Sequence, residues 1–186
     1  MTFFELLCGC IIADFFAGGG VFVVYLKKSF ADGYKVTVIS FRRGEFGMSV
    51  YRRKAQYHET DQMGIIHHSN YIKWMEEARI DFMKEMGFGY GEVEKRGIVS
   101  PVAEVSTAYK KPVRFDDEVE ITVSVKKYNG AVLELEYEFY NATRDEICTT
   151  ASSKHCFIRE GKLVSLKKEI PELDILFRKC LKGENA

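Results

Sequence analysis

Residues 69–87 read SNYIKWMEEARIDFMKEMG, and this stretch sets the architecture. Tyr71, Met75, Ala78, Phe82 and Met86 recur at helical spacing and form one apolar stripe. Ile72 and Trp74 widen it, while Lys73, Glu76, Glu77, Lys84 and Glu85 supply a polar side. Ser69 and Asn70 are the expected N-cap residues and Gly87 the expected stop, which predicts a helix from about Asn70 to Met86. A stripe this broad has to be covered from more than one side.

Four strand patterns follow the helix, after a Gly-rich connection with a short helix expected over 89–96. Residues 99–109 give the first. In 118–128, Val119, Ile121, Val123 and Val125 alternate with polar residues. In 131–141, Leu133, Leu135, Tyr137 and Phe139 do the same. In 146–159, Ile147, Thr149, Ala151, Ser153, His155 and Phe157 share one face. Clean alternation marks sheets with one wet face, typical of antiparallel pairing. Tyr128-Asn129-Gly130 signals a two-residue hairpin turn. Residues 49–58 read as a strand before the helix, and 171–182 as a helix opened by proline. The fold class is α+β: one broad apolar helix against one curved antiparallel sheet.

Two parts are expected, residues 1–47 and 48–186. The first carries the apolar run Phe3–Leu26, interrupted by Glu5, Asp14 and Gly18-Gly19-Gly20 and followed by Lys27-Lys28. Three readings of it stand. It lies outside the natural protein, which starts at Met48; Arg42-Arg43-Gly44-Glu45 is what a purine-rich ribosome-binding stretch spells if translated in frame. It is a membrane-associating helix, which is the one way a membrane enters. Or it is a hairpin or helix packed on the main part, with a strand over 35–40.

The 186 residues carry 27 basic and 27 acidic side chains, so no basic field for nucleic acid exists. Five cysteines, an odd number with no C-x-x-C pair, argue against a disulfide scaffold and for a reducing, cytoplasmic setting.

Chemistry concentrates in residues 57–71, YHETDQMGIIHHSNY, directly before the helix. The first N–H groups of a helix have no internal partner and carry the positive end of its dipole. An oxygen that becomes negative during a reaction can sit there, beside a carboxylate that attacks or activates water. This suffices for thioester cleavage, since a thiolate with a pKa of roughly 8.5 is a good leaving group. Asp61 reads equally as a turn former, and His67 and His68 as polar residues at a helix entry. His58, Asp61, His67 and His68 match no recognised metal-ligand spacing, so no metal is expected. His155 and Cys156 lie on opposite faces of a strand and make no nucleophile–base pair.

Residues 59–71, with Glu77-Ala78-Arg79 down the helix, resemble the 4-hydroxybenzoyl-CoA thioesterase-like branch of the hotdog-fold acyl-CoA thioesterases, including the Tol-Pal-associated enzymes. Residues 109–117, YKKPVRFDD, are similar to that family's Tyr-x-x-Pro-x-x-x-x-Asp turn. The resemblance spans about residues 49–180; residues 1–47 have no counterpart in it. It implies an antiparallel sheet wrapped around the long helix, and a homodimer or homotetramer with sites at the subunit interface. It implies hydrolysis of acyl-CoA to free acid and CoA without metal or organic cofactor. Asp61 is then the catalytic carboxylate, as nucleophile or general base, and His68 marks the helix start that holds the oxyanion. Gly64 lets the backbone pass close to substrate, Tyr71 lines the acyl pocket, and Glu59 stands where relatives carry Asp. Lys110, Lys111 and Arg114 are candidates for the CoA phosphates. The rival readings are a non-catalytic acyl-CoA-binding hotdog module, a hotdog dehydratase, and a hydrolase of acyl carrier protein thioesters.

Overall fold

The computed structural model describes residues 14–17, 21–30, 33–42 and 48–182, with side chains over 49–181. The chain divides into two compact units, Met1–Gly44 and Glu45–Ala186. The first holds β1 (Asp14–Ala17), β2 (Val21–Phe30) and β3 (Gly33–Arg42). They form an antiparallel sheet in the order β1-β2-β3, and Phe30 pairs with Gly33 where β2 turns into β3. Residues 14–17 and 21–26, within Phe3–Leu26, are therefore strand and not the membrane-associating helix of one reading, while β3 contains the strand that the hairpin reading expected over 35–40. Their run of β-branched and aromatic residues suits a pleat better than a helix. Residues 3–13 lie outside the described residues. Among the described residues no helix is long and apolar enough to cross a membrane.

The second unit is α+β. Its main sheet has the order β4-β6-β7-β8-β5, antiparallel throughout. The strands are β4 (Met48–Lys54), β5 (Val102–Tyr109), β6 (Glu118–Tyr128), β7 (Val132–Asn141) and β8 (Glu146–Cys156). β4 and β5 are the two edges. Between them in sequence come α1 (His68–Glu85) and α2 (Tyr90–Lys95), and α1 packs on β4 and β6. The short pair β9 (Ile158–Arg159) and β10 (Lys162–Leu163) leads to α3 (Leu166–Glu169) and α4 (Pro171–Lys182).

The core follows the alternation. Val119, Ile121 and Val123 of β6 and Leu133, Leu135, Tyr137 and Phe139 of β7 are buried, together with Tyr71, Trp74, Met75, Ala78, Phe82 and Met83 of α1. Ile72 does not widen the buried stripe; it is 46% exposed, as Ile80 is at 42% two turns on. Gly87 ends α1 as expected, with φ +81°. The Gly87 N–H donates to the Lys84 carbonyl and the Phe88 N–H to that of Met83, a Schellman closure.

Several boundaries shift for local reasons. α1 starts earlier than expected, capped by His67 rather than by Ser69 or Asn70, because the His67 ring accepts from the Ser69 N–H. β4 stops at Lys54 instead of running to His58, since residues 57–59 wind into a 3-10 turn. The β6–β7 turn centres one residue later than Asn129-Gly130. Asn129 closes it by donating its N–H to the Val132 carbonyl, while its side-chain oxygen accepts from Ala131 and Val132. In β8 the pairing jumps between Phe139 and Tyr140, so Cys148 is an extra residue. Cys148 turns inward and Ile147 is left 43% exposed, against the expectation that Ile147 shares the inner face.

Three buried residues of β8 are polar, Thr149, Ser153 and His155. His155 is 1% exposed and Ser153 5%. Burial, then the nearby Arg79 guanidinium, push the His155 imidazole down to about 4. The unfolded chain takes up that proton near 6.5 and the folded one does not. Folding stability should therefore be complete above about pH 6.5 and fall by up to a few kcal/mol toward about pH 4. Urea unfolding across this window in the native chain and in His155→Asn checks it; the variant should lose most of the slope, and an unchanged slope would assign it to carboxylates.

Candidate functional site

The loop between β4 and α1 is held from below by Glu59, 6% exposed. One carboxylate oxygen accepts from Arg53 Nη2 at 2.7 Å and from Trp74 Nε1 at 2.8 Å, the other from the Gln56 N–H at 2.8 Å. The Glu59 carbonyl accepts from the His67 N–H and from Asn70 Nδ2. Arg53 lies 4.5 Å from the Trp74 ring centroid and also pairs with Glu77. One acid thus fixes the end of β4, the 3-10 turn and the first two turns of α1. Its side chain does not line the cavity described below.

Residues 60–66 fold back on themselves. Thr60 bridges Ile66, the Asp61 N–H donates to the Ile65 carbonyl, and the Gly64 N–H donates to that of Asp61. Asp61 Oδ1 accepts from the Met63 N–H at 2.8 Å, an Asx turn. Asp61 is therefore a turn former, as one reading had it, and its second carboxylate oxygen has no partner among the described residues. Gly64 sits at φ +70°, and an added Cβ would meet nothing within 4 Å. Its requirement is the left-handed backbone rather than close approach within this chain.

A second loop meets the first. Ile65 bridges Arg114, and the Ile66 N–H donates to the Val113 carbonyl. Asp117, 3% exposed, anchors that loop by accepting from the Arg114 N–H, Asn141 Nδ2 and Arg144 Nε, each at 2.9 Å. Burial alone would raise its carboxyl, but Arg144, the Arg114 N–H and Asn141 outweigh that and hold it below the usual carboxylate range. Tyr109, at the other end of the motif, donates its hydroxyl to the His68 carbonyl at 3.1 Å. The Tyr-x-x-Pro-x-x-x-x-Asp pattern is thus a clamp between β5, β6 and the start of α1.

The two loops and the helix start enclose an open cavity of about 420 Å³. Asp61, His68 and Tyr71 line it together, with Lys110 and Lys111. Arg114 and Gly64 do not. Tyr109, Ile65 and Pro112, to which the sequence assigned no role in binding, form the remaining wall with Met63 and Ile66. The Tyr-x-x-Pro motif was the signal that could have brought Tyr109 forward. Tyr71 and Tyr109 meet edge to face with centroids 5.1 Å apart. Burial, with a smaller contribution from Cys148, pushes the Tyr71 hydroxyl up to about 12, so it stays neutral. Burial likewise pushes the Cys148 thiol up to about 11, which removes it as a nucleophile.

His67 and His68 differ in role. His67 caps the helix: its Nδ1 accepts from the Ser69 N–H at 3.3 Å and its carbonyl accepts from the Asn70 N–H. That leaves the His68 N–H with no acceptor among the described residues. It is a helix-start donor at the cavity that holds the free oxygen of Asp61. No group of acids, histidines and cysteines among the described residues could hold a metal ion.

Residues 55–173 match the model of the thioesterase-like superfamily. A putative esterase of Aquifex aeolicus is 35% identical over 124 residues, 67% of this chain and 95% of that protein. A putative acyl-CoA thioesterase of Bacillus subtilis is 34% identical over 130 residues, 69% of this chain and 94% of the relative. Among solved structures, a DHNA-CoA thioesterase from Staphylococcus aureus superposes with a TM-score of 0.71 at 32% identity, covering 75% of this chain and 97% of that one.

Removing the buried acid beneath the loop should be costly, because Arg53 then loses its better-buried partner. Glu59→Ala is expected to lower the unfolding free energy by about 3–5 kcal/mol. Urea unfolding followed by the fluorescence of Trp74, the chain's one tryptophan, reads this directly. A loss of under about 1 kcal/mol, as for an exposed ion pair, would contradict the role given to Glu59.

Proposed function

The chain belongs to the thioesterase-like superfamily, and from that premise we propose that it is an acyl-CoA thioester hydrolase that releases a free carboxylic acid and CoA, with Asp61 delivering the attack. The observation that carries the reading is that one cavity is lined by a carboxylate with a free oxygen and by the first residue of α1. Asp61 either takes a proton from the attacking water or attacks the carbonyl carbon itself. The carbonyl oxygen becomes negative and is held by the His68 N–H and the helix dipole. The C–S bond then breaks and the thiolate leaves, taking up a proton. In the direct route, water afterwards cleaves the anhydride.

The acyl group lies against Tyr71, Tyr109 and Ile65, and the phosphate-bearing end of CoA runs past Lys110 and Lys111 at the same cavity. The fold is read as the hotdog arrangement, with the five-stranded sheet curved around α1. Free Cys148, Cys156 and Cys180 suit an enzyme of the reducing cytosol. Residues 48–186 carry the activity and residues 1–47 are dispensable for it. The enzyme assembles at least as a homodimer through β5, an edge strand paired only with β8, on which Val102, Val105 and Tyr109 are 52%, 36% and 49% exposed.

Thiol release from acyl-CoAs of increasing chain length tests the reading. Asp61→Asn should lower kcat by about 10²–10⁴-fold with assembly unchanged, and the 48–186 chain should retain turnover. Equal turnover by Asp61→Asn and the native chain would leave Asp61 as a turn residue only. Light scattering should give a dimer or larger for the native chain, and Val105→Arg should shift it toward monomer. A native chain that is monomeric would overturn assembly through β5.

A further inference from the structure

A second cavity, remote in sequence from the Asp61 loop, opens between α1, α2, β7, β8 and α4. Its wall is apolar, built from residues such as Leu133, Phe157 and Phe177. Four polar side chains break it: Arg79 from α1, Tyr90 from α2, Ser100, and His155 from β8. None lines the Asp61 cavity.

Arg79 is 7% exposed and has no acidic partner among the described residues. Its guanidinium donates to the Tyr90 hydroxyl and stands over the Tyr90 ring, 4.8 Å from the centroid. Tyr90 passes its own proton to the Ser100 carbonyl at 3.2 Å. The contrast with Arg53 is instructive: that half-buried guanidinium is met by Glu59 and Glu77. A buried charge is normally paired.

His155 brings a second unanswered group. Its Nε2 is 2.7 Å from Ser153 Oγ, and its Nδ1 is buried with no partner. Tyr137, 3% exposed, has Ser153 Oγ at 2.9 Å as the one acceptor for its hydroxyl among the described residues. With the Tyr137 proton on Ser153, the arrangement the site below uses has Ser153 donate to His155 Nε2, which leaves the ring proton of the neutral imidazole on Nδ1. The groups facing this cluster from every element around it are Arg79, Tyr90, Tyr137, Ser153 and His155. With Ser100, which also lines the cavity, they sum to one positive charge that no acidic side chain among the described residues meets.

We propose that this cavity is a binding site for a small monovalent anion of the halide class, held by the Arg79 guanidinium and the Nδ1–H of His155. The space takes one water-sized guest, which suits a monatomic ion and excludes phosphate or a nucleotide. An anion accepts from both donors and cancels the charge. The site joins α1, α2 and β8, so filling it couples those elements without touching Asp61.

Crystals of the full chain grown with sodium bromide, measured at the bromine absorption edge, test this directly. One anomalous peak in contact with Arg79 and His155 is expected. Thermal unfolding should show Tm rising with chloride or bromide above a gluconate control of equal ionic strength. Arg79→Met should abolish that halide dependence. His155→Leu keeps the guanidinium and should shift the dependence to higher halide concentration, so the proposal stays testable if Arg79→Met fails to fold. A cavity holding only water, a carboxylate of a second copy seated on Arg79, or a Tm equal in halide and gluconate would overturn it.

Discussion

Burying the Glu59 carboxylate is the constraint from which the site follows. A desolvated carboxylate is tolerable only where its lone pairs are met by good donors. Here the donors are a guanidinium on β4, an indole on α1 and a backbone N–H of the intervening turn. Satisfying one acid therefore welds three elements at one point. The Glu59 carbonyl extends the weld to His67 and Asn70. Once those are fixed, the five residues between Thr60 and Ile66 have little choice but to fold back. The Asx turn at Asp61 is the local solution, aided by the one residue in that loop able to adopt φ +70° without strain.

The second loop closes the site by a different logic. Asp117 anchors a segment that would otherwise carry several unpaired backbone groups, and Tyr109 reaches the helix start through its hydroxyl. The cavity lies between a turn pinned by one buried acid and a turn pinned by another. Neither acid touches the space that they define. Within that space Asp61 is held by Met63 and Ile65 and Tyr109 by the His68 carbonyl, so the lining residues also brace one another.

Much of this was legible in sequence. Period-two alternation in β6 and β7 named the core correctly, because those strands are long, uninterrupted and wet on one face. The helical spacing of Tyr71, Met75, Ala78 and Phe82 did the same for α1. The loop before α1 announced itself by its polar composition, and Asp61, His68 and Tyr71 do share a cavity. What failed depends on particular hydrogen bonds and on strand register, which residue spacing does not encode. His67 rather than Ser69 caps α1 because its ring is turned to the helix start. Cys148 displaces Ile147 from the core because of a bulge that no local pattern encodes. The partners of Glu59, Arg53 and Trp74, are likewise not written in its spacing. The same holds for Arg79, whose lack of an acidic partner is a fact about space and not about spacing.

Half-buried Arg53 and buried Arg79 then invite a comparison of cause. Arg53 and Arg79 both stack on an aromatic ring, and both sit at the boundary between α1 and a neighbouring element. Cation–π contact is worth on the order of 1–2 kcal/mol for a desolvated guanidinium, less than the several kcal/mol that burial of the ion costs. Aromatic contact alone therefore cannot explain why an arginine rather than a methionine occupies position 79. At Arg53 the difference is made up by Glu59 and Glu77. At Arg79 the enclosed space beside His155 is where a compensating charge has room to sit. A guanidinium held in place by a ring, beside an imidazole with one proton to give, is the same device as the Glu59 weld with the sign of the missing partner reversed. In one case the chain supplies the anion, and in the other the solvent does.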